Sequence, residues 1–179
     1  TLIGKIHKDT PNPYHRVDTA KFKGFTRSEN GQVRMSSGIA VVFKTNSPSI
    51  TVKSVFRTPG YPTNTNGYSG RGYDLYIREG GEWIYARSGV PSERDLNAPI
   101  SLVSDMDGQM KECLMYLPLY SEMKSVQIGV EKGSVLEAMD NPFRHRIGVF
   151  GSSFTHGSST SRSGMTYVAQ LSRNTGLHM

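Results

Sequence analysis

Between residues 50 and 57 the chain alternates without a break, with Ile50, Val52, Ser54 and Phe56 on one side and Thr51, Lys53, Val55 and Arg57 on the other. Successive side chains of a β-strand point to opposite faces, so this pattern fits one half-buried strand and no helix. Related runs recur along the chain. Residues 38–44 carry Ile39, Val41 and Phe43 on one face. Residues 72–78 set Tyr73, Leu75 and Ile77 against Asp74, Tyr76 and Arg78. Residues 83–87, 111–117 and 125–131 read as further strands, and residues 15–18 and 21–25 as two short ones. Turn residues punctuate them: Ser28-Glu29-Asn30-Gly31, whose Asn-Gly pair suits positive φ, then Asn46-Ser47-Pro48 and the hairpin signal Glu79-Gly80-Gly81-Glu82. Residues 58–71, rich in Gly, Pro, Asn and Thr, read as one long loop. No helical period precedes Gly133. Short strands at this spacing predict a mainly β fold, an antiparallel, jelly-roll-like sandwich.

The texture changes after the turn Asp140-Asn141-Pro142. Ile147 to Phe150 form a short apolar run of the kind that fills a buried strand of a parallel sheet. A tight Gly151-Ser152-Ser153 turn follows, then a small-residue loop over 157–163 and a helical pattern over 165–174. The expected organisation is a β-sandwich over residues 1–142 and the first strand-turn-helix of an α/β domain over 143–179. Such a turn leaves a serine hydroxyl at the carboxyl end of a strand, where open α/β sheets bind their ligands. Its backbone N–H is placed to help hold an oxyanion.

Phe150-Gly151-Ser152-Ser153-Phe154-Thr155-His156-Gly157 resembles the first block of the SGNH (GDSL-like) serine hydrolases. Ser152 stands where that block usually has Asp. The continuation Ser161-Arg162-Ser163-Gly164-Met165-Thr166-Tyr167 is similar to a branch with an appended N-terminal β domain marked by Gly-x-Asp-Leu-Tyr, here Gly72-Tyr73-Asp74-Leu75-Tyr76. Together the two regions span the chain roughly from His15 onward. The resemblance implies a serine esterase. Ser153 would be the nucleophile and give its own N–H to the oxyanion hole, with Ser152, Thr155, His156 and Gly157 lining the site. The substrate implied is a small ester or an acylated, especially acetylated, carbohydrate. A secreted or periplasmic location goes with that analogy.

A serine hydroxyl needs a base, and the base needs an orienting group. The family pattern takes both from an Asp-x-x-His. His7, His15, His145, His156 and His178 are preceded at that offset by Gly4, Asn12, Pro142, Ser153 and Thr175. The expectation is therefore a stretch of a longer enzyme, inactive alone, whose partner is the remainder of its own hydrolase domain. His156, three residues after Ser153 on the same turn, reads as a loop residue at the site entrance rather than the base, because triad members normally come from separate elements. Ser152 can orient the turn through a side-chain-to-backbone bond, and Ser161 or Ser163 can cap the helix that follows.

Two readings of the Gly-x-Asp-Leu-Tyr strand stay open. Asp74, Tyr76, Trp83 and Tyr85 can form a sugar-binding face, with aromatic rings for C–H stacking and a carboxylate for hydroxyls. Alternatively Tyr73, Leu75, Ile77 and Trp83 are core, while Asp74 pairs with an arginine such as Arg71, Arg78 or Arg87 at a domain interface. The non-catalytic alternative for the whole chain is a jelly-roll module that binds carbohydrate or docks on a partner domain.

Composition narrows the rest. The net charge of +6 is scattered without a Lys/Arg run, which argues against nucleic acid. No apolar run reaches membrane-spanning length, so no membrane partner is expected. The one cysteine, Cys113, sits in an apolar run and reads as a buried hydrophobe. No metal-ligand spacing exists among the histidines, and nothing calls for a cofactor.

Overall fold

The computed structural model describes residues 1–179. It contains β1 (Leu2–Ile3), α1 (Arg27–Val33), β2 (Ala40–Thr45), β3 (Ile50–Thr58), α2 (Gly67–Gly70), β4 (Tyr73–Glu79), β5 (Glu82–Gly89), β6 (Ile100–Val103), β7 (Lys111–Tyr116), β8 (Glu122–Val130), β9 (Leu136–Ala138), β10 (Arg144–Arg146), α3 (Ser153–His156), a 3-10 turn (Ser163–Met165), α4 (Tyr167–Thr175) and β11 (Leu177–His178). One antiparallel sheet runs β1-β2-β7-β4-β5, with β9 also on β2. A second runs β6-β3-β8. Their inner faces pack as a β-sandwich. A small parallel pair, β10-β11, brackets α3 and α4.

β3 keeps the alternation read from its sequence: Ile50, Val52 and Ser54 are buried, and Phe56 packs at the margin. The β4–β5 hairpin turns at Gly80 and Gly81, both at positive φ as such a turn requires.

The larger sheet is buried on both faces. Neighbours on a strand point to opposite sides, so Phe43, Leu75, Cys113 and Met115 join Ile50, Val52, Leu102 and Met123 between the sheets. Ala40, Val42, Tyr76, Leu114 and Tyr116 face outward and meet Ile3, Met139, Phe143 and Ala169. The last two residues come from the C-terminal segment, so residues 143–179 share a core with the sandwich. Cys113 is buried, and burial pushes its thiol up to about 12, as an inert core residue behaves.

Several local expectations fail. Residues 15–18 and 21–25 are turns and loops, not strands. Residues 28–31 lie inside helix α1, and Gly31 is not at positive φ. Thr26 caps that helix, and Glu29 bonds back to the cap N–H in a full capping box. Residues 147–150 are not a buried strand. The strand lies earlier, at β10, and Phe150 is 103% exposed. Only β11 pairs with β10, and the run that follows joins no sheet. The C-terminal helix opens with a 3-10 turn, and its cap is Thr166 rather than Ser161 or Ser163.

Candidate active site

Ser153 is the first residue of α3, a single helical turn whose backbone closes on itself. The Ser152 carbonyl accepts from the N–H groups of Thr155 (3.0 Å) and His156 (3.2 Å). The Ser153 carbonyl accepts from Gly157 (3.0 Å) and Ser158 (2.8 Å). Ser152 stands at the cap position, but its side chain makes no capping bond, so the expected orienting role for its hydroxyl is absent. Ser152, Ser153 and Phe154 are exposed. Thr155 meets the Tyr167 hydroxyl at 2.9 Å.

The turn ends at Gly157, with φ 108°. A Cβ there would lie 2.5 Å from Leu119 Cδ1 and 2.8 Å from Thr166 Cγ2. Glycine is thus required twice, for its backbone conformation and for the close seat of the turn on the β7–β8 connection.

His156 does not face an open entrance. Its Nε2 donates to the Leu119 carbonyl at 2.7 Å, its ring stacks on Tyr120 at 4.4 Å, and Arg16 reaches Nδ1 at 3.3 Å. Its own carbonyl accepts from the Ser37 hydroxyl at 2.7 Å. A carbonyl only accepts and a guanidinium only donates, so the neighbours fix a neutral ring with its proton on Nε2. Burial, followed by the Arg16 charge, pushes the imidazole down to about 4, against the opposing Leu119 bond. No histidine bonds the Ser153 hydroxyl. His15 pairs with Glu122 at 2.9 Å, and His178 is held by the Gly4 N–H and the Asn141 amide.

The loop after the turn is clasped by the sandwich. Asn64 donates to the Ser158 hydroxyl at 2.8 Å and Asn66 to the Ser161 carbonyl at 2.9 Å, both from the long 58–71 loop. Ser163 donates to the Gly72 carbonyl at 2.9 Å.

Asp74 completes the seat. It is fully buried. One oxygen accepts from the Ser88 hydroxyl, and the other accepts from the Gly164 N–H at 2.8 Å and faces Arg162 Nε at 3.1 Å. Its arginine therefore comes from the C-terminal segment, not from Arg71, Arg78 or Arg87. Burial raises its carboxyl above the ordinary range, opposed by Ser88, Gly164 and Arg162. Arg162 lies over the Tyr85 ring at 4.1 Å and Arg173 over the Tyr76 ring at 4.0 Å. Trp83 is half-buried against Phe143 at 6.2 Å. All four residues singled out from the hairpin thus touch residues 143–173 or a side chain that does. Sequence reading missed Arg16, Asn64, Ser88, Leu119, Tyr120, Arg162 and Arg173 as members of this seat, since only the fold joins them to the turn.

The fold and site define a β-sandwich domain that seats a serine-bearing turn from its own C-terminal segment. The chain belongs to the family described as GxDLY, the N-terminus of SGNH-hydrolase-type esterases, whose model matches residues 1–136. It is similar to a Bacteroides ovatus ATCC 8483 protein described as a GDSL-like lipase, with 39% identity and a TM-score of 0.94 over 99% of this chain and 52% of that one. It also shares its fold with the salicylyl-acyltransferase SsfX3 of a tetracycline biosynthetic pathway, at 21% identity and TM-score 0.71 over 99% of this chain and 49% of that one. The chain spans about half the length of these two relatives. No curated protein matches it. No three His, Cys, Asp or Glu residues are grouped to hold a metal, and no helix is long and apolar enough to cross a membrane.

Proposed function

We propose that this protein is a serine esterase in which Ser153 attacks the ester carbonyl, acting on small esters or acylated, chiefly acetylated, carbohydrate outside the cytoplasm. The observation that carries the reading is the exposed Ser153 at the start of α3, seven residues past the end of β10. Its free backbone N–H at a helix start suits an oxyanion. The likeness to a protein described as a GDSL-like lipase supports the hydrolytic class.

None of the five histidines bonds the Ser153 hydroxyl, and His15, His156 and His178 are engaged elsewhere. In this reading the base comes from the remainder of the hydrolase domain, and residues 1–179 alone are expected not to turn over. The Asp74 face serves docking rather than sugar binding, because protein groups already occupy both carboxylate oxygens.

The test is p-nitrophenyl acetate hydrolysis and fluorophosphonate labelling of the protein expressed from its whole gene, for wild type and Ser153→Ala. Turnover and labelling that vanish together in the alanine variant support the reading. Turnover that survives in the variant ends it.

A further inference from the structure

We infer that His156 is a positioning residue for Ser153: the β-sandwich grips its ring and so sets where the nucleophile and its oxyanion-binding N–H stand. This rests on the reading of Ser153 as the nucleophile. The two residues share one helical turn, and the His156 N–H bonds the carbonyl of Ser152, the residue before the nucleophile. A shift of the imidazole is therefore passed to Ser153 within a single turn.

Every group on the ring belongs to the sandwich. Leu119 accepts from Nε2, Tyr120 stacks on the face, and Arg16 closes Nδ1. These partners are themselves fixed. Leu119 N–H donates to the Ser69 carbonyl at 2.9 Å, and Arg16 Nε to the Met35 carbonyl at 3.1 Å. On the same loop, Ser121 donates to the Gly70 carbonyl at 2.8 Å. The Ser37 bond to the His156 carbonyl and the close seat of Gly157 against Leu119 fix the backbone immediately after the ring-bearing Cα.

A four-residue helix has too few internal bonds to hold its own shape. Its geometry is borrowed from the sandwich, which makes the appended domain part of the catalytic apparatus. The grip is independent of pH through the neutral range. Arg16 and Tyr120 are the ionisable groups facing the ring, and Arg16 opposes a second proton.

The experiment compares wild type, Ser153→Ala, His156→Ala, His156→Gln and Arg16→Met, each expressed from the whole gene. The rates read are fluorophosphonate labelling and p-nitrophenyl acetate turnover, well below each variant's melting temperature. His156→Ala is expected to lose about 10- to 100-fold in kcat and in labelling, with KM little changed, as for a misplaced reacting group. His156→Gln keeps a donor for Leu119 and is expected to recover most of the rate. Arg16→Met is expected to fall between the two.

A folded His156→Ala protein that labels at the wild-type rate overturns the inference. So does a loss that appears in KM alone, or an equal loss in the glutamine variant. If His156→Ala does not fold, a wild-type rate in Arg16→Met overturns it instead. A wild-type protein that never labels at Ser153 ends the esterase reading itself, a result distinct from all of these.

Discussion

Both faces of the larger sheet are buried, yet they are built differently. The inner face closes on the second sheet through Phe43, Leu75, Cys113 and Met115. The outer face closes on residues 143–173 around a carboxylate, two arginines and three tyrosines. Apolar contacts tolerate many arrangements, whereas a buried carboxylate accepts few. The inner face therefore supplies bulk stability, while the outer face fixes how the serine-bearing segment sits.

The largest test of that contrast is Asp74→Ala. It leaves Arg162 without its counter-charge and the Gly164 N–H without its acceptor, and is expected to cost about 3–5 kcal/mol in urea unfolding. Leu75→Ala, one residue away on the opposite face, is expected to cost about 2–5 kcal/mol by cavity formation. The faces separate by pH. The Leu75 loss stays constant between pH 5 and 8 (roughly the range of native stability). The Asp74 contribution changes, because its raised folded pKa makes the carboxylate's stabilising share fall as pH rises from the ordinary carboxylate range through that value. Equal pH profiles for the two variants would erase the distinction.

His156 gives the opposite slope. Its imidazole is held down to about 4 while the unfolded chain takes a proton near 6.5. Stability is then complete above that upper value and is lost as pH falls toward the lower one, by on the order of 3 kcal/mol. Urea titrations of wild type and His156→Gln at several pH values check it, and the glutamine variant should be flat in this window.

The smallest effect concerns Tyr76, whose buried hydroxyl has no partner. Tyr76→Phe removes that burden and keeps the ring under Arg173, so it should be neutral or stabilising by about 1 kcal/mol in thermal melts. A clear destabilisation would mean that the hydroxyl is anchored after all.

The inner face was legible because its signal is local. Alternation in β3 and β4 assigns Ile50, Val52, Tyr73 and Leu75 inward with no knowledge of partners. Helix α1 was also legible in principle, since Thr26 and Glu29 have capping-box spacing in the sequence, but the Asn30-Gly31 pair carries a competing turn signal. The outer face was not legible. Asp74 lies 88 residues before Arg162, and no local pattern chooses Arg162 over Arg71, Arg78 or Arg87. The run 147–150 misled for the same reason: β-branched composition reports strand propensity, whereas pairing depends on neighbours elsewhere in the chain. For Ser153 the motif was readable, but the grip on His156 was not, because Arg16 and Tyr120 reach it only through the fold.

The hydrogen bond from the Gly4 N–H to His178 Nε2, at 3.0 Å, joins residues 174 apart. Arg146 likewise reaches the carbonyls of Lys5 and Ile6. On the ribosome the inner face can collapse once β8 has emerged, but the outer face must wait for the last of these 179 residues. Until then Asp74, Tyr76 and Leu114 stay wet on a formed sheet. Residues 143–179 act as a late-arriving cover, and the nascent protein is most prone to stick to its neighbours just before it is laid down.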